Sequence, residues 1–184
     1  MVQTRILTIT VILLAATACK IDRRNTVDRD KFTFNVSDDS FLFFRNVRQI
    51  YYDFQDLPEA KWYAYRLSDR SKSTKTPVLT PVIVVDWLHD ESYVLLEPNE
   101  LLQSETTFRI REKNNAGKFF EYTLAQRGRE NMLEFASKIY EGIMDENDIY
   151  INASDRWHPL FANDEDTDNF RVVMADYYRL TNIF

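Results

Sequence analysis

Two histidines and the carboxylates near them are the residues best suited to acid–base or metal chemistry. His89 lies between Asp86 and Asp90 in a polar break of a β-rich region. An imidazole beside carboxylates could act as a general base or contribute to a metal site. His158 could join this group if its loop folds over the same end of the sheet. The favoured alternative is that all four are polar loop and turn residues, because their spacing is not diagnostic.

Aromatic residues form a second group of candidate binding residues. The chain has 10 tyrosines, 13 phenylalanines and 3 tryptophans, and a sheet protein buries most of its aromatic side chains in the core. Some of them could instead stack on a sugar or anchor a protein partner, because interfaces are enriched in Trp and Tyr. The four candidates are Trp62, Tyr63, Trp87 and Trp157. For any one of them, burial is the favoured interpretation.

Several familiar kinds of catalysis lack support in the sequence. The three glycines, Gly117, Gly128 and Gly142, are too scattered for a phosphate-binding loop or a dinucleotide fingerprint. No serine lies in a G-x-S-x-G elbow, and Cys19 is the single cysteine. The sequence therefore predicts no catalytic residue, no cofactor and no intrachain disulfide, and it favours a non-catalytic protein.

An acidic run near the C-terminus has part of the spacing of a calcium loop. Asp164, Asp166 and Asp168 alternate as the first ligands of an EF-hand do. However, Asn169 replaces the glycine of that loop, and Ala175 replaces its bidentate glutamate. We therefore predict that the acids cap a solvated helix start and bind no metal.

The N-terminal residues have the pattern of an export signal. Arg5 precedes a hydrophobic run over residues 6–18, which is too short to span a bilayer, and small residues lead into Cys19. The sequence Ala16-Thr17-Ala18-Cys19 resembles the lipobox of bacterial lipoproteins, with alanine where leucine is commoner. This resemblance implies cleavage before Cys19 and a diacylglycerol on its thiol. The alternative is an ordinary signal peptide with an incidental cysteine.

The resemblance to lipoproteins also implies a location. A chain acylated at Cys19 would be held to a membrane by lipid, without a spanning helix. Lys20 is not the aspartate that favours inner-membrane retention in enteric bacteria, and Arg23 and Arg24 stand where surface-exported lipoproteins carry acids. We therefore expect an outer-membrane lipoprotein that faces the periplasm.

Domain organisation and charge follow from the same boundaries. We expect a signal peptide at 1–18, a lipidated flexible tether at 19–31 and one domain at 32–184. The signal contains a single charged residue, Arg5, so the remaining chain has 22 basic and 29 acidic side chains, a balance of 22 − 29 = −7. This charge argues against nucleic acid as the main partner.

The first half of the domain is predicted to be β-rich. Alternating and clustered aromatic residues over 32–52 predict one or two strands, and 61–67 predicts another. The most apolar run, 82–88, is expected at the centre of a sheet. A four-residue polar break separates it from 93–96, which predicts a hairpin.

The second half changes from strands to helices. Alternation over 108–124, with asparagines and a glycine at 114–117, predicts a second hairpin. Helical spacing predicts a helix over 129–147, a short strand over 149–152 and a last helix from about Asn169. Together the elements predict an α+β domain, with a largely antiparallel sheet of five to seven strands and two C-terminal helices packed on one side.

Three functional hypotheses are compatible with this sequence. The first is a lipid-anchored, non-catalytic module that binds an envelope protein. The second is an envelope hydrolase or glycan-binding protein that uses Asp86, His89, Asp90 and His158, which requires these side chains to converge. The third is a structural envelope protein with no binding cleft.

Overall fold

The protein was analysed as a computed structural model that describes residues 27–184. The predicted signal peptide, the lipobox and Cys19 lie outside the described residues. Among residues 27–184, no helix is both long and apolar enough to cross a membrane.

Four strands from the first half of the domain form an antiparallel sheet, sheet A, in the order β1-β2-β3-β4. They are β1 (Tyr52–Leu57), β2 (Trp62–Leu67), β3 (Leu79–Asp86) and β4 (Glu91–Pro98). The most apolar run of the sequence lies mainly in β3, an internal strand, and most of its residues are buried. This position confirms the expectation from its composition, because an internal strand is covered by neighbours on both edges.

Four more strands form a second antiparallel sheet, sheet B, in the order β6-β5-β7-β8. They are β5 (Phe108–Lys113), β6 (Phe119–Leu124), β7 (Asp148–Ala153) and β8 (Arg156–Pro159). The β5–β6 connection is the predicted hairpin, and Gly117 has a φ of +77° there. This left-handed conformation is easily adopted by glycine, which explains its place in the turn.

The helices are α1 (Asp38–Phe43), α2 (Arg129–Met144) and α3 (Asp164–Leu180). Helix α2 packs against β4 of sheet A and against β6 and β7 of sheet B, whereas α3 packs against β3 and α2. Both sheets therefore share one core through α2. Ile83, Val94, Ile110, Ile151 and Tyr177 belong to this core, and each is 0% exposed.

One glycine allows α2 to lie close to sheet B. A Cβ atom on Gly142 would lie 2.6 to 2.7 Å from the carboxyl atoms of Glu112 in β5. The buried Glu112 accepts hydrogen bonds from the hydroxyl of Tyr122 and from the side-chain amide of Asn147 at 3.0 Å. Gly142 therefore leaves room for a buried carboxylate whose partners hold it in place.

The prediction of strands over 32–52 is largely wrong, although β1 begins at Tyr52. Helix α1 continues into a π-helical turn (Phe44–Arg48) and a 3-10 turn (Gln49–Tyr51). The Ser37 side chain caps α1 by accepting from the backbone N–H of Ser40 at 3.2 Å. The aromatic clustering suggested a sheet, but this cap and the acids after it favour a helix start.

The α+β class and the two C-terminal helices are confirmed, and within residues 27–184 eight strands divide between two antiparallel sheets of four. Helix α3 begins at Asp164, five residues before the predicted start near Asn169. Trp157 and His158 lie in strand β8, not in the expected loop. Strand β8 has only four residues, which leaves little alternation for a sequence-based prediction.

The first described residues already contact the domain, within the range expected to be the tether. Val27 packs against the core, and Arg29 pairs with Glu141 of α2. Further on, Asn35 forms a single β-bridge with Glu91 of β4. The chain thus crosses the helical side of the molecule before it enters α1.

Candidate functional site

The β3–β4 turn contains the predicted group of Asp86, His89 and Asp90, together with Trp62 from β2. One carboxylate oxygen of Asp86 accepts from the backbone N–H groups of Leu88 at 3.1 Å and His89 at 3.3 Å. The other lies 2.9 Å from Nδ1 of His89 and 3.4 Å from Nε1 of Trp62. The Asp86 side chain therefore closes the turn, as short polar side chains commonly do.

Electrostatics in the turn couple Asp86 to His89. The side chain of Asp86 is 10% exposed and that of His89 is 63% exposed. The hydrogen bond and the charge of Asp86 raise the pKa of His89. Burial opposes ionisation of Asp86, but the bonds from His89, the Leu88 N–H and Trp62 together lower its pKa. The pair is a stable ion pair once His89 is protonated.

The surroundings of this pair serve the fold. Asp90 has a φ of +53°, and its carbonyl accepts from the Val36 N–H at 2.8 Å. The neighbouring hydroxyl of Ser92 is buried and donates to the Val84 carbonyl at 2.9 Å, so it is not presented to the imidazole. The geometry therefore favours the turn interpretation over the catalytic one.

The convergence of the two histidines that the hydrolase hypothesis requires is not among the contacts of the described residues. His158 pairs with Ile151 in sheet B, whereas His89 lies in a turn of sheet A. Within residues 27–184, no hydrogen bond, ion pair or ring contact joins them. In the same range, no group of three or more His, Cys, Asp or Glu side chains is placed to hold a metal ion.

The candidate tryptophans occupy different environments. The half-buried Trp62 packs edge-on against Tyr93, and the half-buried Trp157 lies 4.2 Å beneath the guanidinium of Arg111. Trp87 is exposed and stacks on Tyr63 at a centroid distance of 6.3 Å. The tryptophans therefore do not form one shared platform among the described residues.

The acidic run lies at a helix start, but inside the first turns of α3 and not ahead of them as predicted. Asn163 is the N-cap, and its side chain accepts from the Asp166 N–H at 2.8 Å. Asp166 is buried and accepts from the Ala162 N–H at 3.2 Å, while Asp168 pairs with Arg171. Two of the three aspartates therefore have structural partners within the chain.

A different region, residues 42–54, carries six of the eleven large apolar side chains that are exposed in residues 27–184, and we call these six the apolar surface. The six side chains lie within thirteen residues of the sequence. They are Leu42 (59% exposed), Phe43 (50%), Val47 (46%), Ile50 (80%), Tyr51 (53%) and Phe54 (48%). Single exposed apolar residues are normal, but contiguous ones mark contact surfaces. The sequence analysis missed this surface because it interpreted the region as strands and so overlooked the helical spacing of residues 43, 47, 50 and 51.

The opposite side of the same segment is fixed to the core by what we call the support network, Arg48, Tyr52 and Asp176. Nε of Arg48 donates to both carboxylate oxygens of Asp176 at 2.9 Å, and the Tyr52 hydroxyl donates to one of them at 2.7 Å. The Asp176 side chain is 1% exposed. Burial, with the charge of Asp176, raises the pKa of Tyr52 and keeps its phenol protonated.

Packing adds to this attachment. Phe44 is buried and packs edge-on against Tyr65 of β2, with ring centroids 5.0 Å apart. Phe44, Arg48 and Tyr52 thus form the inward side at helical spacing, while Phe43, Val47 and Ile50 face solvent. The π-helical turn at Phe44–Arg48 contributes residues to both sides, and such turns occur frequently at functional sites. The apolar surface is therefore part of a rigid element and not of a frayed end.

Comparisons of this chain with protein-family models, curated proteins and solved structures give no match.

Proposed function

We propose that this protein is a lipid-anchored, non-catalytic contact module of the bacterial cell envelope. The observation that supports this proposal is the apolar surface, which the buried support network presents to solvent. A large apolar area exposed on a rigid element gains free energy by being covered. The lipobox-like sequence at Cys19 supplies the expected attachment to the outer membrane on its periplasmic side.

The hydrolase and glycan-binding hypothesis is less well supported by the geometry. It requires Asp86, His89 and His158 to act together, but His158 belongs to the other sheet. Asp86 is already engaged by two backbone amides, Trp62 and His89. A structural protein with no partner would have no use for the apolar surface. The contact module explains more of the molecule than either alternative.

Metabolic labelling tests the anchor. A bacterial host that expresses the full chain would receive a palmitate analogue, with Cys19→Ala as the matched variant. We expect the wild type to be labelled and to fractionate with outer membranes, and the variant to lose both properties. Equal labelling of the two chains would contradict the lipid anchor.

Cysteine accessibility tests the contact. Cys19 is the single cysteine, so Ile50→Cys and Leu88→Cys each place one free thiol in the lipidated chain. Both side chains are well exposed, at 80% and 59%. In permeabilised cells, we expect maleimide to label position 50 much more slowly than position 88, and both equally in purified protein in detergent. Equal labelling in cells would contradict the proposed contact.

A further inference from the structure

We propose that the apolar surface docks on the phospholipid bilayer that holds the anchor, so that the domain lies on the membrane in a fixed orientation. This inference rests on the proposed function, because it identifies the component that covers the contact surface. A protein partner or a second copy of the chain would be a different occupant.

The chemistry of the segment fits a membrane interface. From Ser40 to Tyr52, a stretch with five of the six residues of the apolar surface, there is no acidic residue, and Arg45 and Arg48 are the two charges, in a chain whose net charge is −6. Asp53, beside the sixth residue Phe54, is paired with Arg70. Leu, Phe, Ile and Val side chains enter the boundary between headgroups and acyl chains, and Tyr favours the headgroup level. The exposed Arg45 is available for anionic headgroups, so the local charge complements a phospholipid surface.

The position of the chain entry points to the same surface. Arg29 pairs with Glu141 of α2, and Ser137 of α2 accepts a hydrogen bond from Tyr178 of α3 at 2.8 Å. Asp176, which holds Arg48, is two positions before Tyr178. Because successive residues of a helix are rotated by about 100°, these two side chains leave α3 on roughly opposite sides.

The helical layer is therefore ordered as α2, α3 and then the segment that carries the apolar surface. Neighbouring helices lie about 8 to 10 Å apart, so two such spacings place this segment about 16 to 20 Å from the axis of α2, with which Arg29 pairs. Val27 is eight positions after Cys19 in the sequence, and eight extended residues span at most about 26 to 29 Å. A bilayer that holds the lipid on Cys19 is thus within reach of the apolar surface.

A second copy of the chain is a poorer occupant. The edge strand β1, which contributes Phe54 to the apolar surface, also carries Asp53 and Asp56, which are both exposed. Antiparallel self-pairing centred on β1 would place these carboxylates close to their counterparts, and like charges across strands destabilise pairing. Charges of this kind are a known protection against edge-to-edge association.

Site-specific fluorescence in protein-free vesicles tests the docking. The lipidated Ile50→Cys and Leu88→Cys chains, labelled with an environment-sensitive dye, would be reconstituted in vesicles of phosphatidylethanolamine and phosphatidylglycerol. A second preparation would contain nitroxide-labelled lipid. We expect a blue shift and nitroxide quenching at position 50, with neither change at position 88. Replacing phosphatidylglycerol by a zwitterionic lipid should weaken both signals.

The outcomes separate this inference from the function on which it rests. Equal quenching at both positions, or none at position 50, would overturn membrane docking. If position 50 were open in vesicles but protected in cells, a protein would be the occupant and the contact module would stand. If it were open in both, the contact module itself would be contradicted.

Discussion

The apolar surface and the β3–β4 turn differ in how the protein uses its side chains. The turn has the residues with the greatest chemical range, yet Asp86, His89 and Asp90 hold the backbone in place. The apolar surface has side chains of little reactivity, yet a buried ion pair fixes the segment that presents it. The comparison shows that the candidate site is identified by the buried network that holds its residues in place, and not by the chemical reactivity of those residues.

The largest expected effect would test the support beneath the apolar surface. Asp176→Ala leaves Arg48 and Tyr52 without their shared acceptor in the core. Removing one partner of a buried ion pair costs about 3 to 5 kcal/mol, which lowers the melting temperature by roughly 6 to 20 °C for a domain of this size. Calorimetry would measure the fall in melting temperature, with Asp168→Ala as the exposed control in the same helix. Equal losses in the two variants would contradict a special role for the network.

A smaller effect is expected when the turn is changed. Asp86→Ala removes the acceptor of two backbone amides and Trp62, and hydrogen bonds of this kind contribute about 1 to 3 kcal/mol when a charged group is involved. Urea unfolding would measure the loss of unfolding free energy. Asp90→Asn, which tolerates the same positive φ, is the control and should change it little. A loss below that of the control would mean that Asp86 does not stabilise the turn.

The ion pair in the turn should give a weak pH dependence. Asp86 raises the pKa of His89 above 6.5 in the folded state, so the protonated pair stabilises the fold fully below pH 6.5. That contribution is lost as the pH rises through the folded-state pKa. Proton NMR should show that His89 titrates above its ordinary range in the wild type and within it in Asp86→Asn. A normal titration in the wild type would contradict the pairing.

The smallest effect on stability is expected at the apolar surface itself. Ile50→Ser removes a side chain that is already 80% exposed, so the unfolding free energy should change by about 0.5 kcal/mol or less. The same change should weaken the protection of this surface in cells. A destabilisation as large as that of Asp86→Ala would mean that Ile50 belongs to the core, and the contrast between the two regions would fail.

Sequence reasoning succeeded where local patterns determine the structure. The hairpin over β5 and β6 follows from strict alternation and from the residues at 114–117, and α2 follows from a continuous helical period. It failed over 38–51, because Arg48 finds its partner Asp176 128 positions later, and no local pattern shows that contact. The cap at Ser37 was a local signal, but the aromatic clustering outweighed it.

The candidate site shows the same division. The prediction that Asp86 and His89 share one end of a sheet was right, because two residues that are three positions apart in a tight turn lie close together. The approach of His158, which the sequence left open, is not supported by any contact in residues 27–184, where His158 pairs with Ile151 in the other sheet. The apolar surface was missed because exposure depends on which side of a segment the rest of the chain covers, and that information is tertiary.

The entry of the chain into the domain has a mechanical consequence. Residues 27–36 are joined to sheet A by one β-bridge, with hydrogen bonds from Val36 to Asp90 and from Ser92 to Phe34. A pulling force applied upstream of Val27 would load these bonds together with the Arg29–Glu141 ion pair and the core contacts of Val27, Phe32 and Phe34, while the strands of sheet A remain paired. Detachment of nine residues, 28–36, would lengthen the segment between the lipid anchor and the domain by about 30 Å. Under tension, residues 27–36 would therefore detach from the domain before any core strand is strained, and they would rebind when the tension falls.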